Sequence, residues 1–238
     1  MPISPRVHQA GQEVEFLGHI VGKGQLKPRP GKLEAIKEFK RPETKTQVRS
    51  FLGLAGYYRR FIPDFSTIAI SLTESTKKGG PNKISWGDEE EASFQTLKSK
   101  LTRLPILHLP NLSKTFILRS DASNDCIGAV LLQQHDGELF PTAYASKKLN
   151  KHQKNYCVME KECLALIWSV QKFSTYLYGK EFVIQTDHQP LTCLQKSKVA
   201  NGRIMRWALA LQPFRYRIAV IKGKQNVGAD FMSRAVNG

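Results

Sequence analysis

Residues 13–26, EVEFLGHIVGKGQL, alternate apolar and polar side chains around a Gly-Lys-Gly turn, which predicts a hairpin. KPRPGK then breaks the chain, and KLEAIKEF has helical spacing. In the next segment Val48, Phe51, Leu52 and Ala55 recur at i, i+3, i+4 and i+7, with Pro42 and Thr44 as start signals. A proline ends that helix, and DFSTIAISLTESTKK predicts another short one. KKGGPNK follows and is the strongest linker signal in the chain.

After it, SWGDEEEASFQTLKSKLTRLPIL places acids in a first helical turn and bases in the last, matching the helix dipole. The period then changes from helical to alternating. KTFILRS, IGAVLLQQ and LFPTAYAS predict three successive strands, the last two joined by the turn HDGE. A long amphipathic helix runs through NKHQKNYCVMEKECLALIWSVQKFSTYL and ends at Gly179. EFVIQTD predicts a fourth strand, PLTCLQK and GRIMRWALALQ helices, and FRYRIAVIKG a fifth strand. NVGADFMSRA closes the chain as a helix capped by Asn226. The order predicts a mixed α/β domain behind a small helical unit, with ligands gathering at strand ends.

Charge narrows the partners. Among 238 residues, 36 Lys and Arg stand against 20 Asp and Glu, a net charge of +16. Residues 1–112 carry 18 basic and 11 acidic side chains and residues 113–238 carry 18 and 9, so neither half is merely a basic tail. Such a surplus favours a polyanion, nucleic acid first and an acidic membrane surface second. Cys126, Cys157, Cys163 and Cys193 show no zinc spacing and read as reduced, mostly buried thiols of an intracellular protein. No apolar stretch approaches the roughly 20 residues of a membrane span, and the first residues are too polar for a signal peptide.

Acids sit at four strand ends or helix starts. Asp121 follows the first strand of the second unit, Asp187 ends the fourth, and Asp230 lies in the first turn of the last helix. Glu160 and Glu162 both open the long helix, and periodicity does not choose between them. Each Asp alone fits a cap or turn. Together they stand against apolar segments, where an unpaired carboxylate is costly and a hard divalent ion relieves the cost. Converging carboxylates suit two ions roughly 3.5–4 Å apart, the arrangement that clamps attacking and leaving oxygens in phosphodiester hydrolysis.

The segments FILRSDAS, GAVLLQQ, PTAYASKKLNKHQKNYCVMEKECLALIW and QTDHQPL, with GRIMRWALALQPFRYRIAVIKGKQNVGADFMSR, resemble the ribonuclease H domain of gypsy-type LTR-retrotransposon Pol polyproteins. FLGHIVGKG and RSFLGLAGYYRRFIPDFS are similar to the end of the palm and the thumb of the preceding reverse transcriptase. The resemblance implies a ribonuclease H-like mixed five-stranded sheet with flanking helices, preceded by a small helical thumb-like subdomain. It divides the chain into a primer-grip-like hairpin at 1–28, a thumb-like unit at 29–80 and a nuclease domain at 84–238, with 84–112 as lead-in helix. It assigns the four acids to Asp121, Glu162, Asp187 and Asp230, selecting Glu162 and leaving Glu160 as a solvated helix residue. It implies hydrolysis of the RNA strand of RNA–DNA hybrids by two Mg²⁺, with Asp121 bridging both, Glu162 and Asp187 on one side and Asp230 on the other. Mn²⁺ suits the same oxygen ligands. RNA would be chosen through its 2′-hydroxyls.

Two departures shape the expectation. No Asp-Asp pair occurs, so the polymerase ligands for nucleotide transfer are missing from this chain. The loop KGKQN before the last acid holds no His, and His188 beside Asp187 is an auxiliary candidate, its structural alternative being a place under a loop. Arg203 and Arg206 beside Trp207 are candidates for hybrid-backbone contact, and Arg59 and Arg60 among aromatics are either phosphate contacts or a solvated turn of a core helix. Trp168 reads as core. The detached hairpin is expected to dock loosely or not at all. The alternatives are a catalytically silent nucleic-acid-binding remnant, or a structural subunit that joins the palm and fingers of a separate polymerase chain. The expected setting is intracellular and cytoplasmic, with a virus-like particle or the nucleus left open.

Overall fold

The structure, a computed structural model, describes residues 13–79, 81–186 and 202–221. Its first unit opens with β1 (Val14–Phe16), β2 (His19–Gly22) and β3 (Gln25–Pro28), then α1 (Pro30–Lys37) and α2 (Lys45–Tyr57). A 3-10 turn at Arg59–Phe61 leads to α3 (Phe65–Ile68), α4 (Ile70–Ser75), α5 (Asp88–Thr102) and β4 (Leu107–His108). Thr44 caps α2, its hydroxyl accepting from Gln47 N–H at 3.2 Å while the Gln47 amide oxygen accepts from Thr44 N–H at 3.2 Å. Val48, Phe51 and Ala55 then fall on the buried face, as their spacing requires.

One expectation is corrected here. The hairpin is docked: β1 to β4 form one antiparallel sheet in sequence order, with Leu26 opposite Leu107. The hydroxyls of Tyr57 and Tyr58 donate to the carbonyls of Leu17 and Gly18, and the His19 ring stacks with Tyr57 and Phe61. A third and fourth strand supply the partners a lone hairpin lacks. The lead-in helix α5 also belongs to this unit by packing, since Phe94, Leu97 and Leu101 share one core with Phe51, Phe61 and Leu72. The KKGGPNK segment is tied back as well: Lys45 N–H donates to Asn82 O at 2.8 Å and Ile84 N–H to Glu43 O at 3.1 Å.

The second unit holds β5 (Phe116–Ala122), β6 (Cys126–His135) and β7 (Glu138–Lys148), then α6 (Lys151–Lys154), α7 (Val158–Lys172) and α8 (Ser174–Leu177). β8 (Glu181–Thr186), α9 (Gly202–Leu211) and β9 (Arg215–Val220) complete what is described. The sheet order is β7-β6-β5-β8-β9, antiparallel across β7, β6 and β5 and parallel from β5 to β9. This is the expected mixed five-stranded sheet. Asp136 and Gly137, both at positive φ, make the β6–β7 turn. Phe116 and Leu118 meet Cys163, Leu166 and Val170 of α7 in the second core, and Trp168 packs against it partly buried. Among the described residues no helix is long and apolar enough to cross a membrane.

Candidate nuclease site

Alternation along β5 sorts its two faces. Phe116 and Leu118 are buried under α7, so Asp121 shares the opposite face with Ile117 and Arg119. Arg119 donates to the Gln185 amide oxygen at 2.8 Å, tying β5 to the end of β8, and burial lowers its pKa. Asp121 itself is exposed at the end of its strand.

Glu162 lies on α7 and is only 9% exposed. The first turns of α7 meet the end of β5, because Ala122 packs in one small cluster with Leu164 and Ala165, beside Ile127 and Leu149. The start of α7 thus packs beside the end of β5, with the Asp121 side chain on the sheet face opposite that helix. Asp187, Asp230 and His188 lie outside the described residues, as does Cys193. Among the described residues no group of three or more His, Cys, Asp or Glu forms a metal cluster. Asp121 and Glu162 offer only hard oxygen donors, which suits Mg²⁺ better than a softer ion.

Glu160 is not an ordinary solvated residue. Its carboxylate accepts from Cys157 N–H at 3.3 Å, closing the start of α7, and pairs with Arg203 of α9 at 2.8 Å. Arg203 also lies 4.0 Å above the Tyr156 ring, so this candidate nucleic-acid contact fastens α9 to α7. Arg206 is exposed. Arg60 reaches the Tyr176 hydroxyl at 3.4 Å. Arg59 is turned onto the sheet: it donates to Ser146 O at 2.6 Å and sits over the Phe65 ring. A guanidinium with those partners clamps the two units together.

That clamp exposes a residue the sequence reading missed. Asp121, Gly128 and Ser146 are directly opposite one another across β5, β6 and β7. Ser66 N–H donates to the buried Ser146 hydroxyl at 2.8 Å, and Asp64 Oδ1 lies 2.6 Å from where a Cβ on Gly128 would stand. Burial, then the charge of Asp121, raises the Asp64 pKa. Asp64 follows a proline at a helix stop, so no local pattern marked it. Only the pairing of β6 with β5 reveals what it faces.

A profile described as "RNase H-like domain found in reverse transcriptase" matches residues 111–214. This stretch is an RNase H-like domain of reverse transcriptase. The match begins just after β4, at the point where the first core ends. The chain is 42% identical over 223 residues to a retrovirus-related Pol polyprotein from transposon 297 of Drosophila melanogaster, covering 94% of this chain and 21% of that protein. To the Pol polyprotein from transposon gypsy of the same organism it is 38% identical over 234 residues, covering 94% and 22%. The chain thus spans about a fifth of the length of the curated relatives it matches. Among solved structures, a foamy viral protease-reverse transcriptase in complex with RNA/DNA hybrid superposes with a TM-score of 0.75 at 22% identity, over 89% of this chain and 29% of that one. At that identity the likeness concerns the fold, and it extends beyond the RNase H-like stretch to 89% of this chain.

Proposed function

We propose that this chain hydrolyses the RNA strand of RNA–DNA hybrids as the nuclease portion of a retrotransposon Pol polyprotein, with Asp121, Glu162, Asp187 and Asp230 holding two Mg²⁺. The observation that carries the reading is that the helix bearing the buried Glu162 packs through Leu164 and Ala165 on the end of the Asp121 strand, inside an RNase H-like sheet. Carboxylates are hard oxygen donors, and a divalent ion held by them serves phosphodiester chemistry. Paired Mg²⁺ would supply an activated water and neutralise charge on the leaving oxygen. The residues' own parts follow from their places. Glu162 is fixed by its helix, while Asp121 stands exposed where a strand of nucleic acid can approach. The net charge of +16 and the exposed Arg206 would hold the hybrid backbone.

The test is cleavage of an end-labelled RNA–DNA hybrid with Mg²⁺ by the native chain, Asp121→Asn and Glu162→Gln. Loss of RNA cutting in both variants and on chelation supports the reading. Hybrid binding with no cutting by the native chain would replace it with the silent binding remnant. The exposed Val14, Phe16 and Leu17 of the hairpin favour a second role beside the first, contact with the palm portion of a reverse transcriptase. Association that survives a Phe16→Ser, Leu17→Ser change would rule this surface out.

A further inference from the structure

The turn that follows Asp121 is unusually well fastened. Ser123 N–H donates to Cys126 O at 2.8 Å, and the Ser123 hydroxyl accepts from Cys126 N–H at 3.0 Å. Leu149 N–H donates to Asp125 O at 2.7 Å. Two lysines from the helices then reach it. Lys154 of α6 pairs with the Asp125 carboxylate, but both side chains are well exposed, 38% and 47%, and such pairs contribute little. Lys161 of α7 differs: it is 8% exposed, and its ammonium donates to Asn124 Oδ1 at 3.2 Å. Its stem is thus enclosed by the fold, and its head group is directed at a neutral side-chain amide of the turn and not at a carboxylate.

Lys161 immediately precedes Glu162 on α7, and Asn124 is three residues beyond Asp121. The Lys161–Asn124 bond thus joins the helical turn that carries one candidate carboxylate to the loop that closes the strand of the other. We propose that Lys161 is a positioning residue, which through Asn124 fixes the β5–β6 turn against α7 and sets the separation of Asp121 and Glu162. What the two carboxylates are for rests on the hydrolytic reading above; the bond itself does not.

The experiment uses the full chain with Lys161→Met, which keeps the apolar stem, Lys161→Arg, which keeps the charge, Asn124→Ala, and the Lys161→Met/Asn124→Ala pair. Three quantities are read: amide hydrogen exchange of Ser123 and Cys126, the Mg²⁺ concentration giving half-maximal binding by calorimetry, and KM against kcat on a hybrid. Lys161→Met should speed exchange of both amides and raise the half-saturating Mg²⁺ about tenfold, the scale of outer partners of metal ligands. It should lower kcat by a similar factor and leave KM within about twofold, because hybrid contacts are untouched. Asn124→Ala should reproduce this, the pair should be no worse than either single change, and Lys161→Arg should recover most of it. Unchanged exchange in Lys161→Met, or fully additive effects in the pair, overturns the proposal. If Lys161→Met does not fold, the exposed partner Asn124→Ala and Lys161→Arg report on the same bond. A native chain that cuts no hybrid defeats the nuclease reading alone, since exchange and the pairwise comparison still decide the positioning.

Discussion

Gly128 stands in the middle of the Asp121–Gly128–Ser146 row, and its missing side chain is what admits the Asp64 carboxylate. Gly128→Ala should force Asp64 aside and destabilise the chain by about 1–3 kcal/mol, the usual cost of overpacking. Adding Asp64→Gly should recover most of that loss, because glycine accepts the left-handed conformation of residue 64, φ +52°. Denaturant midpoints of the two singles and the double decide it, and simple additivity would remove the contact from the account. At this scale the sequence was uneven. Asp121 was visible locally as an acid closing an apolar strand, whereas only the family resemblance separated Glu162 from Glu160. Asp64, Ser146 and Lys161 were not, since each acquires its role from a partner distant in the chain. Arg59 shows the same limit from the other side, because an Arg among aromatics has one local appearance whether it faces phosphate or Ser146.

Among elements, the strands were legible to within a few residues, because alternation and turn residues such as Asp136-Gly137 are local signals. α2 was equally plain, and Thr44→Ala should cost about 1 kcal/mol in an unfolding titration, as loss of an N-cap does. The hairpin was misjudged because its stabilising neighbour β4 is two residues long, too short for any period to show. β4 carries a further consequence. His108 stacks on Phe140 of β7 with centroids 4.2 Å apart, joining the two sheets, and burial first, then His135, pushes its pKa below the usual 6.5. A base with a lowered folded pKa takes its proton first in the unfolded chain. Stability should therefore be complete above 6.5 and be lost as pH falls below it. His108→Phe, which keeps the stack, should flatten that part of the pH dependence. Urea midpoints at about pH 7.5 and about pH 5.5 test this, and an equal acid loss in the variant would assign it elsewhere.

Over the whole molecule, the two cores behave as parts of one body because β7 enters both. Ala143 and Ala145 face the second core, while Tyr144, between them, packs against the first. Its hydroxyl is pushed up to about 12, by burial and then by Asp64, so the ring is held well inside the junction. Arg59 and Ser66 clamp Ser146 two residues further on. Three interlocked contacts on one strand make unfolding of either unit costly to the other, and the native chain should melt in a single calorimetric transition. Tyr144→Ala removes the central contact and leaves the helical core open on that side. It should cost about 2–3 kcal/mol, a little under the range for a fully buried aromatic. It should also broaden or split the transition, with the RNase H-like sheet and the helical unit melting apart. A native chain already showing two separated transitions would mean that β7 touches both cores without coupling them. The first unit would then be a neighbour of the RNase H-like domain and not part of its support.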